Sequence, residues 1–431
     1  MEMSKIRIKS KKIEGTVSVP PSKSMAHRAV ICAALAKGKS IISNLDLSDD
    51  IIATINAMKS LGASIEDLGN KSFLIDGSKT FENKEDDIVV DCNESGSTLR
   101  FIVPISIAKE NKVKFVGRGN LGKRPLDIFY EIFDRQKIDY SCEKNILNLD
   151  INGKLKGEIF KVAGNVSSQF ISGLMFTLPL LENDSKIVIT TELESKGYLD
   201  LTLAMLKSFG IEVINKEYKE FIIKGKQEYN AFDYEVEGDY SQAAFYLSAG
   251  AIGNKVAIKN LDLYSLQGDK EVIKILEDLG NRLVIENKAL SIKQCEEEES
   301  IIDGKGCPDV IPVITVVAAL TKGTTKIINA GRLRIKECDR LHAITTELNK
   351  LGANITEFED GLVIEGVETL KGGEVSSYDD HRIAMSMAIA STRCEEDLIL
   401  ENPACVSKSY PNFWEDFKML GGEFYEWNMG E

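Results

Sequence analysis

Proline is scarce in this chain, with 9 residues in 431 beside 33 glycines, 43% hydrophobic residues and 28% charged ones. That balance excludes a disordered or low-complexity chain, and the length calls for two or three domains rather than one core. Long apolar runs are missing. The longest, VIPVITVVAAL at 310–320, falls far short of the ~20 residues that a bilayer-spanning helix needs. The opening MEMSKIRIKSKKIEG lacks the apolar centre of a secretory signal and alternates like an edge strand, with Ile6, Ile8 and Ile13. Paired cysteines are missing too. Cys32, Cys92, Cys142, Cys295, Cys307, Cys338, Cys394 and Cys405 stand alone, with no C-x-x-C and no Cys/His spacing that suits zinc. The expectation is a cytoplasmic chain with no structural disulfide and no metal. A basic excess is also absent. The net charge is −14, with no basic stripe, which excludes a general nucleic-acid binder. If the ligand is anionic, its cations must be gathered locally, so the place of each Lys and Arg is informative.

What the sequence does contain is a sixfold period. Apolar helical runs open at His27, Thr98, Gln169, Gln242, Asp309 and His381, which are 71, 71, 73, 67 and 72 residues apart. Each repeat carries a second, amphipathic helix that closes on a turn, at Gly62, Lys137, Gly210, Gly280, Gly352 and Gly421. Glycine suits a helix end at positive φ, so Lys137 should cost stability. Stretches such as KSIISNL, FIIKGK and GLVIEGV read as strands. A repeat therefore runs helix, strand, helix, strand, strand. Its length exceeds that of short solenoid repeats, and two closed groups of three repeats fit better. They are expected at 21–237 and at a discontinuous 1–20 with 238–431, the first strand pairing in the last repeat. VPPS at 19–22 and VEGD at 236–239 read as two hinge crossings.

Polar residues recur where each buried helix begins. They are Ser22, Lys23, Ser24 and Arg28; Gly96, Ser97, Thr98 and Arg100; Ser167, Ser168 and Gln169; Asp239 and Ser241; Asp309; and Asp380, His381 and Arg382. Helix N-termini expose unpaired N–H groups and favour anions. Intervening loops add Arg118, Lys123, Arg124, Ser195, Lys196, Tyr198, Arg334, Lys336, Glu337, Arg340 and Lys408. Singly, each has a plainer reading. Ser22, Ser24 and Asp309 would cap helices, Arg100 would pair with Glu94, RIKECDRL would be a solvated face and His342 would be structural. Repetition at corresponding ends of an acidic chain points instead to an anion-binding cleft. Asp309, Glu337 and Asp380 are the acids available there for proton transfer, and nearby cations would lower their pKa values and favour a base. GRGNLGKRP lacks P-loop spacing, which disfavours a nucleotide kinase.

The segments PPSKSMAHR, ESGSTLR, GNLGKRP, GNVSSQF, VEGD, PDVIPV, RIKECDRL, DDHRIAM and SKSYPNF occur in this order along nearly the whole chain. Through them the chain resembles the 5-enolpyruvylshikimate-3-phosphate synthase family. The resemblance implies an α/β (α+β) two-domain enolpyruvyl transferase fold, an inside-out α/β barrel of six βαβαββ units, three per domain. It implies transfer of the enolpyruvyl group of phosphoenolpyruvate to the 5-hydroxyl of shikimate 3-phosphate, with release of phosphate, on the route to chorismate and the aromatic amino acids. By position, Lys23, Ser24, Arg28, Ser167, Ser168, Gln169, Ser195, Tyr198, Asp309 and Lys336 should hold shikimate 3-phosphate. Lys23, Gly96, Arg124, Gln169, Arg340, Arg382 and Lys408 should hold phosphoenolpyruvate. Asp309 should accept the proton of the attacking hydroxyl, Glu337 should handle the methylene proton, and Lys23 should reach both substrates as a third catalytic group.

The resemblance also implies no cofactor, no nucleic-acid or membrane partner, a cytoplasmic monomer, and inhibition by glyphosate in the space left by Gly96. Glu94, Phe101, Gly197 and Arg332 depart from the family's common Asn, Pro, Pro and Asn, which bears on pocket shape. A UDP-N-acetylglucosamine enolpyruvyl transferase would carry a Cys in the loop that reads GRGNLGKRP. A non-catalytic anion binder would be expected to lack Asp309 or Glu337, and both are present.

Overall fold

Each repeat places one all-apolar helix and one amphipathic helix, and the computed structural model, which describes residues 5–82, 88–109, 111–143, 145–194, 196–295 and 300–427, forms both. In chain order the pairs are α1 (Lys23–Leu35) and α2 (Asp49–Ser60), α3 (Gly96–Ser106) and α4 (Asp127–Gln136), and α5 (Ser168–Thr177) and α6 (Lys196–Ser208). They continue as α7 (Tyr240–Ala251) and α8 (Glu271–Asp278), α9 (Ile311–Ala319) and α10 (Arg340–Lys350), and α11 (His381–Ser391) and α12 (Phe413–Met419). The first helix of each pair is buried nearly all round, as a helix without a polar face must be. None of the helices among the described residues is long and apolar enough to cross a membrane.

The chain divides into two compact units, Pro21–Glu237 and Met1–Pro20 with Gly238–Glu431. The first three buried helices form the core of one, and the last three form the core of the other. The described strands make six four-stranded sheets, three in each unit. In four of them the strand before a buried helix pairs in parallel with the strand after it. Ile88–Asp91 pairs so with Asn111–Val116 around α3, and Ile159–Val162 with Ser185–Ile189 around α5. Ile301–Asp303 pairs with Thr324–Ile328 around α9, and Gly373–Ser376 with Leu398–Glu401 around α11. The buried helix is the crossover that parallel pairing requires.

The other two sheets exchange this strand. Glu14–Ser18, ahead of α1, pairs with Lys255–Lys259, which follows α7. Tyr234–Glu235, ahead of α7, pairs with Lys39–Ser43, which follows α1. Lys5–Ile8 lies antiparallel between Leu398–Glu401 and Phe424–Trp427, and so completes the last repeat's sheet. The N-terminal segment thus serves the fourth repeat and the last.

The amphipathic helices close as their turn residues dictate. Gly62, Gly210, Gly280, Gly352 and Gly421 all have positive φ, and Lys137 holds the same left-handed conformation at φ 56°. A side chain there costs about 1 kcal/mol. Lys137→Gly should therefore raise the urea midpoint by the equivalent of about 0.5–1 kcal/mol at unchanged m-value, part of the gain being offset by unfolded-chain entropy. A lower midpoint would show that the Lys137 side chain makes a compensating contact.

Candidate active site

Five of the six buried helices begin on a side-chain cap. Ser22, Ser95 and Ser167 accept from Met25 N–H, Thr98 N–H and Gln169 N–H, while Asp239 accepts from Ser241 and Gln242 and Asp380 from Arg382. Capping of this kind stabilises a helix by about 1 kcal/mol. The sixth helix differs. α9 starts at Ile311 after an uncapped Val310, with Pro312 in its first turn. Asp309 stands ahead of the helix and its carboxylate is spent elsewhere.

In unit 21–237, the α1 start carries Lys23, whose Nζ lies 3.0 Å from Asp50 Oδ2 in the first turn of α2. Ser24 O accepts from Arg28 Nη1 at 2.6 Å. The buried Arg28 also donates to Thr202 Oγ1 and Tyr198 O, both at 2.9 Å, and its guanidinium lies 5.4 Å from the centre of the Phe101 ring. Burial lowers its pKa to about 10, so it remains a cation at neutral pH. Phe101, one of the departures, also stacks edge-on with Phe176 and floors this guanidinium. His27 bonds Thr54 Oγ1 at 2.7 Å, and burial holds its pKa down to about 3. It is a neutral core residue.

Gln169 has both amide ends tied to α3. Its Oε1 accepts from Arg100 Nη1 and its Nε2 donates to Ser97 Oγ, each at 2.8 Å. Arg100 therefore meets Gln169, and its guanidinium lies 5.0 Å from the Phe170 ring centre. At Gly96 a Cβ would stand 2.5 Å from Arg124 Nη1 and 3.2 Å from Arg100 Nη1, so only glycine lets both guanidinium groups sit where they are. The Glu94 carboxyl lies against Gly119, where a Cβ would come within 2.0 Å of Oε1. Ser168 is buried in the first turn of α5, and Gly197 and Tyr198 are in the first turn of α6. Ser195 lies outside the described residues.

The other unit gathers a denser cluster. Asp309 Oδ1 is 2.8 Å from Arg340 Nη1 and 3.2 Å from Lys336 Nζ, and Asp309 Oδ2 is 3.5 Å from Arg382 Nη2. Arg340, only 1% exposed, also holds Glu337 Oε2 and, through Nε, Asp380 Oδ2, each at 2.7 Å. Arg382 donates to Ser241 Oγ at 2.9 Å. Burial raises the Asp309 pKa, but Lys336, Arg382 and Arg340 outweigh it and hold the carboxyl well below its usual range. Burial, with Arg340 and Arg332 nearby, lowers the Lys336 pKa against the pull of Asp309. For Arg340 three carboxylates overcome burial and keep it charged. Lys408 ends a short turn of helix, Pro403–Lys408, that packs on α11.

One plainer reading falls here and one expectation changes. RIKECDRL is not a solvated face, because Arg340 is buried among three acids. Asp380 is not free for proton transfer. It is fully buried, caps α11 and grips Arg340. Exposed His342 bonds Glu357, and Arg334 braces the same strand through Glu357 and Phe358 O. Sequence reading missed Asp50 and Thr202, which anchor Lys23 and Arg28. An acid in a helix's first turn reads as a dipole partner, and a threonine within α6 carries no signal.

The arrangement offers fixed cations at helix starts, with two partly accessible acids, Asp309 and Glu337, among them. Comparison with known proteins agrees in kind. Residues 8–417 match the family model for EPSP synthase (3-phosphoshikimate 1-carboxyvinyltransferase). A Clostridium perfringens protein named 3-phosphoshikimate 1-carboxyvinyltransferase is 62% identical over 422 residues, covering 97% of this chain and 99% of that one. A Clostridioides difficile protein of the same name is 60% identical over the whole of both chains. A solved structure of EPSP synthase from Acinetobacter baumannii superposes with a TM-score of 0.83 at 25% identity, over 99% of this chain and all of that one. The chain belongs to the EPSP synthase family.

Proposed function

We propose that the polar helix starts bind shikimate 3-phosphate and phosphoenolpyruvate and that the chain transfers the enolpyruvyl group from the second to the first, releasing phosphate. The observation that carries this reading is Asp309. It stands just ahead of α9, whose N-cap Val310 makes no side-chain cap, and it meets Lys336, Arg340 and Arg382.

The roles follow from the positions that match the family's motifs. Lys23, Ser24, Arg28, Ser167, Ser168, Gln169, Ser195 and Tyr198 hold shikimate 3-phosphate, with Asp309 and Lys336 on its ring. Lys23, Gly96, Arg124, Gln169, Arg340, Arg382 and Lys408 hold phosphoenolpyruvate. In the free chain Asp309 and Glu337 are neutralised by the cations that the substrate needs. Binding the carboxylate and phosphate of phosphoenolpyruvate draws on those cations and loosens their hold on both acids. The substrate thereby readies its own catalysts.

Glu337 gives a proton to the methylene carbon, and the neighbouring carbon becomes oxocarbenium-like. The 5-hydroxyl adds there and passes its proton to Asp309, forming a tetrahedral intermediate. Asp309 passes its proton to the departing phosphate, the new methyl group returns a proton to Glu337, and the vinyl group is restored. Fixed cations offset the repulsion between the two anions and hold them in attack geometry. The crossings at 19–22 and 236–239 act as hinges. The chain works as a cytoplasmic monomer.

The direct test is phosphate release. It is expected only when both substrates are present, and release from phosphoenolpyruvate alone at the same rate would overturn the reading. Asp309→Asn should lower kcat by about 10²–10⁴ without raising either KM more than a few fold, the range that a general base contributes. The lowered Lys336 pKa places an alkaline fall of kcat/KM below the ordinary 10.5, as the free chain loses this cation. Lys336→Arg should move that limb to higher pH, and an unmoved limb would assign it to another group. Glyphosate should inhibit in competition with phosphoenolpyruvate. Gly96→Ala, which pushes Arg124 aside, should raise its inhibition constant at least tenfold, and an unchanged constant would remove Gly96 from the pocket.

A further inference from the structure

The two exchanged strands end on matching asparagines. Asn44 follows Lys39–Ser43 and Asn260 follows Lys255–Lys259, both within the sequence Asn-Leu-Asp-Leu, at 44–47 and 260–263. Both are left-handed, at φ 52° and 67°, a conformation asparagine tolerates while its amide reaches nearby backbone. Asn44 Nδ2 donates to Val236 O at 2.6 Å, and Asn260 Nδ2 donates to Val19 O at 3.4 Å. Each therefore grips the crossing segment that its own unit receives.

The next carbonyl along each crossing supports a helix start that bears a cation or holds one. In unit 21–237, Glu237 O accepts from Ser22 N–H at 2.7 Å, and Ser22 caps α1, which carries Lys23 and Arg28. In the other unit, Pro20 O accepts from Asp239 N–H at 2.9 Å. Asp239 caps α7 and accepts from Ser241 Oγ at 2.7 Å, and Ser241 Oγ in turn holds Arg382. Gly238 fits this second arrangement closely, since a Cβ there would come within 1.8 Å of Asn260 O.

We infer that Asn44 and Asn260 are positioning residues of the transfer reaction. Asn44 sets the α1 start that receives shikimate 3-phosphate, and Asn260 sets, through α7, the arginine that receives phosphoenolpyruvate. The inference rests on the substrate assignments proposed above. It goes beyond them because neither asparagine touches a cation or an acid of the site. The two substrates should respond separately. The shorter Asn44 bond should matter more than the longer Asn260 bond.

The test uses Asn44→Gly and Asn260→Gly, in which glycine keeps the left-handed backbone and removes only the amide. Phosphate release is followed with each substrate varied in turn. Asn44→Gly should raise the KM for shikimate 3-phosphate about five- to tenfold, the size of one lost hydrogen bond, and that for phosphoenolpyruvate, which only Lys23 of this start reaches, by a clearly smaller factor. Asn260→Gly should reverse the pattern at about three- to fivefold. Hydrogen exchange supplies a second readout. The Ser22 amide should exchange faster in Asn44→Gly and the Asp239 amide in Asn260→Gly, each without the other. Asn44→Asp and Asn260→Asp, which keep the shape but lose the donor, should do no better than glycine and stand in if a glycine variant fails to fold. Equal changes in both KM values, or a lowered melting temperature with both KM values intact, would overturn the inference. An inactive wild-type chain would overturn the function reading itself, and with it this one.

Discussion

One guanidinium bears most of the weight of the catalytic half. Arg340 is buried, and burying a cation is costly unless carboxylates surround it. Three do, from three separate places in the chain: Asp309 ahead of α9, Glu337 in the loop before α10, and Asp380 at the cap of α11. Asp380 is itself sealed and spends its other bonds on the α11 backbone. It fixes the arginine, and the arginine fixes the two partly accessible acids. A flexible ammonium could not span these partners, because only the planar fork of arginine offers several donors in set directions.

The remainder of the site depends on how helix starts are closed. Where serine or aspartate caps a helix, the cap is structural, and the arginines near it, Arg28, Arg100 and Arg382, are buried and held by hydrogen bonds. Where the cap is missing, at α9, the acid ahead of the helix meets cations. The same division runs through the exchanged strands. Each unit receives its crossing segment on a parallel strand, and the segment's carbonyls hold the helix starts in place. Fold and site are built from one set of backbone contacts.

Much of this was legible in the sequence. The sixfold period shows because buried helices are apolar in every repeat and amphipathic helices end on glycine in five of the six. Lys137 is the exception and adopts the left-handed turn. The first strand's place in the last repeat was also readable. The exchange of strands ahead of α1 and α7 was not, since pairing between residues 241 and 192 apart in sequence leaves no local trace. RIKECDRL looks like any charged helix edge until Asp380, 40 residues on, closes over Arg340. Asp309 resembled a cap because its type suits one, and only the late start of α9 shows that it is not.

The most direct measurement is on Arg340→Lys, which keeps the charge and removes the fork. Phosphate release and the urea midpoint are read on the same preparation. The account predicts a loss of at least a hundredfold in kcat/KM for phosphoenolpyruvate together with a lower midpoint, because one ammonium cannot satisfy Asp380, Glu337 and Asp309 at once. Near wild-type turnover with an unchanged midpoint would contradict it. It would mean that a point charge suffices and that the three-carboxylate grip does not organise the site.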